Sequence, residues 1–137
     1  MIGTLPPLVK KLFPKENLDF AESVTKPESE ILKEVFAKHA CFDEVGEMID
    51  AVTAKSPELG KRMRAVLAEN CVRLDGMSPA AVEYSKKVIH FVTHVMCSLT
   101  LGKQFCFDEA VKLHNDFQKL SAEDQAALKK RNPDVEF

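Results

Sequence analysis

The feature that most constrains this chain is a helix-opening signal that recurs along it. Ser56-Pro57-Glu58 and Ser78-Pro79 each place a serine directly before a proline. The serine oxygen can accept an orphan N–H of the first helical turn, and proline fits the first helical position because an N–H there has no partner anyway. Thr25-Lys26-Pro27-Glu28 and Ser121-Ala122-Glu123-Asp124 put an acid three residues after a hydroxyl, the capping-box arrangement. Asp43 and Asp108 open two more segments, within CFDEV at 41–45 and CFDEA at 106–110. That echo is too short and too irregularly placed to be a repeat architecture.

Between these starts the apolar residues recur with a helical period. The stripe is Ile31, Leu32, Val35 and Phe36 in 27–40, then Val45, Met48, Ile49 and Val52 in 43–55. It is Leu59, Met63, Val66, Leu67 and Leu74 in 57–74, and Tyr84, Val88, Phe91, Val92, Val95 and Leu99 in 79–101. In 108–120 it is Ala110, Leu113, Phe117 and Leu120. A last helix covers about 122–131 and stops before Asn132-Pro133, while Pro14 splits two short helices at 5–13 and 15–24. The β-branched run 88–95 is the best strand candidate, but it lies inside a long, capped helical pattern. The fold class is therefore all-α: one compact domain over 1–137, with about seven to nine helices of mixed length.

A chain of 137 residues can bury a real core. Its charges nearly cancel, at a net −2 with acids and bases interspersed, so no basic surface favours nucleic acid. The longest apolar stretch, VIHFVTHVMCSLTL at 88–101, is too short and too polar for the ~20 residues a bilayer span needs. Cys41, Cys71, Cys97 and Cys106 are widely spaced and form no CxxC pair, so a zinc ribbon or a thioredoxin-type site is disfavoured. They read as four free thiols in a reducing compartment. MIGTLPPLVKK has no long apolar run of the secretory kind. The expected location is cytoplasmic.

His90 and His94 stand four apart, a spacing that can chelate a metal weakly. With Val88, Val92, Val95 and Leu99 facing inward, both histidines fall on the opposite, polar face at 100° per residue. No second motif supplies further ligands and HExxH is absent, so no metal is expected. His39, His114 and Asn70 lie on apolar stripes instead. They read as buried polar residues, each needing a partner, or as polar fixtures of a cavity. There is no GxSxG, no P-loop and no clustered glycine, so neither catalysis nor a cofactor is expected.

The motifs in order resemble a known family. ILKEVFAKHACFDEVGEMIDAVTAKSPEL, then DGMSPAAVEYSKKVI, then KLSAEDQAALKKRNP are similar to the nematode fatty-acid- and retinol-binding proteins, and LPPLVKKLFPKENLDF fits their opening. The resemblance covers nearly the whole chain. It implies a wholly helical fold around an apolar cavity for long-chain fatty acids and retinol, without catalysis. It also implies departures: family members are usually secreted, and 97–107 is shorter than their usual linker.

Under that resemblance the cavity would be lined from the stripes. The candidates are Val35, Phe36, Ile49, Val52, Met63, Val66 and Leu67, followed by Val88, Phe91, Val92, Val95, Met96, Leu99, Leu113 and Phe117. Arg62 and Arg73, which flank the stripe of 57–74, are the candidates for the ligand carboxylate. Thr25 and Ser121 fit an acid-directed phosphorylation pattern as well as a cap. The expected protein is a monomeric intracellular lipid carrier that touches membranes at most transiently. The alternative is a helical module that binds a partner helix in an apolar groove. A metal- or haem-binding bundle is the third reading.

Overall fold

The computed structural model describes residues 5–39 and 45–137. The described residues form eight helices: α1 (Pro7–Lys10), α2 (Lys15–Ser23), α3 (Lys26–Lys38), α4 (Val45–Lys55), α5 (Pro57–Val72), α6 (Pro79–Leu101), α7 (Phe107–Lys119) and α8 (Ala122–Arg131). No strand occurs among them. Cys41 and Asp43, singled out above, lie outside the described residues.

The caps sit where the sequence puts them. Ser56 Oγ accepts from the Leu59 N–H at 3.4 Å, Ser78 Oγ from Ala81 at 3.2 Å and Ser121 Oγ from Asp124 at 3.1 Å. Thr25 and Glu28 form a complete capping box. Asp108 does not cap α7. Cys106 occupies that position without a side-chain bond, and Asp108 and Glu109 lie in the first turn, where the helix dipole favours acids. α6 stops at Gly102, whose φ of 70° is a left-handed conformation that glycine adopts without strain. Lys103 N–H then closes onto Ser98 O at 2.8 Å.

The apolar residues form two cores. The first gathers Val9, Leu12 and Phe13 with Tyr84, Val88, Phe91, Val92 and Val95 of α6, Leu113 and Phe117 of α7 and Leu128 of α8. The second gathers Phe20 of α2, the α3 stripe, Met48, Ile49 and Val52 of α4, Leu59 and Met63 of α5, and Cys97 of α6. α6 is thus the wall between them. α4 and α5 approach closely because Gly60 has no side chain: a Cβ there would land on Thr53 Oγ1 and lie 2.8 Å from Thr53 Cα.

Polar residues near the cores differ from expectation in two places. His39 is not a core histidine. It is the half-buried C-cap of α3. Cys97 is not a free thiol but disulfide-bonded, whereas Cys71 and Cys106 are free and exposed. His114, half-buried, places Nε2 3.0 Å from Leu8 O.

Candidate functional site

A cavity of about 380 Å³ opens in the second core. That is within the ~300–1,000 Å³ common for small-molecule sites. Five helices wall it. α2 contributes Asn17, Phe20 and Ala21, α3 Leu32 and Phe36, and α4 Val45, Met48 and Ile49. α5 adds Met63, Val66, Leu67 and Asn70, and α6 adds Thr93, Met96, Cys97, Leu99 and Thr100. Met48, Met63 and Met96 give the wall unbranched, polarizable side chains that adapt to a flexible ligand.

Polar groups lie at two levels. Thr25, Lys26, Glu30 and Lys33 also line the space but are exposed, so they belong to its mouth. Asn17 and Asn70 are only 4% and 3% exposed, so they belong to its depth. Asn70 Nδ2 donates to Asn17 Oδ1 at 2.9 Å and to Glu16 Oε1 at 2.9 Å. This supplies the partner that a buried amide needs. Asn17 Nδ2 donates in turn to Met96 Sδ at 3.8 Å, a weak acceptor.

Glu16 is held from behind. Arg73 donates to its two oxygens from Nε and Nη2, both at 2.7 Å, and reaches Asp134 and Asn132 with its remaining donors. Burial alone would raise the Glu16 carboxyl, but the bonds from Arg73 and the other donors hold it below the usual carboxylate range. The same competition leaves Asp134 lowered. Burial opposes the charge on Arg73, and its two carboxylate partners nevertheless raise its pKa.

The candidates from the sequence divide between the two cores. Phe36, Ile49, Met63, Val66, Leu67, Met96 and Leu99 line the cavity. Val35 and Val52 are buried in the same core but behind the lining. Val88, Phe91, Val92, Val95, Leu113 and Phe117 pack in the other core, across α6. The physical reason is that α6 has apolar surface on both sides, and its valine stripe packs into the first core, away from the cavity. Neither arginine candidate lines the cavity either. Arg62 is taken up by Glu28 at 2.6 Å and Ser23 Oγ at 2.7 Å, with its guanidinium over the Phe20 ring, and Arg73 by Glu16 and Asp134. Thr25 sits at the mouth as the α3 cap, and Ser121 caps α8 away from the cavity.

His90 is exposed and His94 half-buried, and neither lines the cavity. No group of three or more His, Cys, Asp or Glu side chains that could hold a metal occurs among the described residues. Among the same residues no helix is long and apolar enough to cross a membrane. Sequence reasoning flagged Asn70 because it interrupts an apolar stripe. It missed Asn17, which sits on a short helix where no stripe is long enough to be interrupted.

Comparison with known proteins gives one consistent result. The family model of the nematode fatty acid retinoid binding protein (Gp-FAR-1) matches residues 9–136. Fatty-acid and retinol-binding protein 1 of Wuchereria bancrofti is 32% identical over 90 residues, which are 64% of this chain. The chain spans about half (49%) of the length of that curated relative. The lipid binding protein Ce-FAR-7 from Caenorhabditis elegans superposes with a TM-score of 0.93 at 56% identity, over 98% of this chain and 96% of that one. Na-FAR-1 from Necator americanus, at 22% identity and a TM-score of 0.82 over 98% of this chain and 89% of that one, shares the fold.

Proposed function

Since the chain belongs to the nematode fatty acid retinoid binding protein family, we propose that it binds long-chain fatty acids and retinol in the α2–α6 cavity and carries them, without catalysing a reaction. The observation that carries this reading is the cavity itself: about 380 Å³, walled by aliphatic, methionine and phenylalanine side chains. Removing an acyl chain from water supplies the driving force, at roughly 0.8 kcal/mol per buried CH₂. A fatty-acid carboxylate keeps its charge solvated at the mouth, beside Lys26 and Lys33. The lipid, fatty-acid and retinol binding of its relatives supports the ligand class.

Titrating the delipidated protein with a fluorescent fatty-acid analogue tests the reading. Blue-shifted, saturable emission that unlabelled oleate and retinol displace is expected. Emission that never saturates would sink it. The groove-binding module is not favoured, because the similarity to lipid binders runs through almost the whole chain.

A monomer that meets membranes only to load and unload is part of the same proposal, and so is phosphorylation at Thr25 or Ser121, both exposed. A cytoplasmic site of action is also a proposal. The disulfide at Cys97 weighs against it, because reducing compartments oppose such bonds. Imaging the tagged protein in intact tissue decides it.

A further inference from the structure

The two buried amides at the depth of the cavity have a fixed polarity, and it is set from outside. Arg73 can only donate, so Glu16 accepts from it as a carboxylate. An ionised carboxylate can only accept, so Asn70 must turn its NH₂ toward Glu16. The second hydrogen of that NH₂ goes to Asn17, so Asn17 must turn its oxygen toward Asn70. The ambiguity that usually attaches to amide orientation is thereby removed. What remains for the cavity is one donor and one acceptor. Asn17 Nδ2 has only a thioether sulfur at 3.8 Å, and Asn70 Oδ1 accepts no hydrogen bond among the described residues.

We propose that the Asn17–Asn70 pair is a subsite for the hydroxyl end of a lipid alcohol, which accepts from Asn17 Nδ2 and donates to Asn70 Oδ1. This rests on the cavity being a lipid site. A hydroxyl is the small group that both accepts and donates through one oxygen. A carboxylate cannot donate, so it would leave Asn70 Oδ1 facing negative charge, with the Glu16 carboxylate directly behind. Its place is the mouth, near Lys26 and Lys33. Lipid alcohols and fatty acids therefore enter the same apolar space in opposite orientations, head inward for the alcohol and head outward for the acid.

A matched ligand series on the unmodified protein tests this. Hexadecan-1-ol, 1-fluorohexadecane and hexadecanoic acid compete against a fluorescent fatty-acid analogue. Fluorine replaces the hydroxyl at similar size but donates nothing. The alcohol is expected to bind about tenfold more tightly than the fluoride, the equivalent of one well-made buried hydrogen bond. Asn17→Leu should abolish that preference, so that alcohol and fluoride compete equally. In the ¹⁵N-labelled parent, the side-chain NH₂ signals of Asn17 and Asn70 should shift with the alcohol and stay put with the acid. This readout needs no variant to fold.

Equal affinity for alcohol and fluoride in the parent would overturn the subsite while leaving the lipid carrier intact. So would amide signals that respond to all three ligands alike. If none of the three competes and the analogue itself does not saturate, the carrier reading fails and takes the subsite with it.

Discussion

Val95 and Met96 are consecutive residues of α6 with different surroundings: Val95 is fully buried in the α1, α7 and α8 core, while Met96, packed against both cores, lines the cavity. The same division separates Val92 from Val66. Val92→Phe adds volume to packed core and should cost about 1–3 kcal/mol of unfolding free energy, with analogue affinity within about twofold of the parent. Val66→Phe adds volume to open space and should cost under ~1 kcal/mol while lowering affinity at least about tenfold. Chemical denaturation and analogue titration on both variants check the pair. The reverse pattern would put the cavity on the wrong side of α6.

Gly60 sets the spacing of α4 and α5. Gly60→Ala should destabilise by about 1–3 kcal/mol, since the new methyl meets Thr53 Oγ1 and backbone that cannot withdraw. Thr53→Ala in the same chain should restore part of the loss, because it removes the hydroxyl but not the Cα. Calorimetric melting of the two single variants and the double variant measures the coupling.

Acid should weaken the protein through Glu16, Asp134 and Glu28. Each carboxyl binds a proton less readily folded than unfolded. The unfolded chain therefore takes up more protons as pH falls, so the stabilisation is complete above the ordinary carboxylate range, roughly pH 4, and is lost as pH drops through the lowered folded values. Arg73→Met should cost about 3 kcal/mol near neutrality, leaving Glu16 buried beside Asn70 without its cation. It should also flatten the acid limb, because burial then pushes the Glu16 carboxyl upward. Urea unfolding at neutral and acidic pH reads both effects. An acid limb as steep in the variant as in the parent would remove Arg73 as its cause.

Alkylation of the native protein without reductant should modify Cys71 and Cys106, which are exposed and free, and spare Cys97 until a thiol reductant is added. Peptide mass spectrometry of the labelled chain reads each position separately.

The helices were legible because their ends are chemical. A serine before a proline, or a hydroxyl three residues before an acid, states where orphan N–H groups find partners. The cavity was not legible from the stripes. Val92 and Met63 carry the same periodic signal, and only the packing of α6 between two cores decides that one meets side chains and the other open space. The arginines misled for a related reason. Arg62 and Arg73 flank an apolar stripe, but their partners Glu28, Glu16 and Asp134 come from distant parts of the chain. Asn70 could be flagged, because a primary amide among apolar residues must be satisfied. Which groups satisfy it depends on α2 lying across α5, and no local pattern announces that.

α6 belongs to both cores, touching α3 on one side and α7 and α8 on the other. Neither half can loosen without stripping one face of the same helix. Hydrogen exchange should therefore report one cooperative unit rather than two. Lipid bound in the cavity is then felt well beyond its own contacts: the slowest amides of α7 and α8, which never meet it, should gain protection in step with those of α3 and α5.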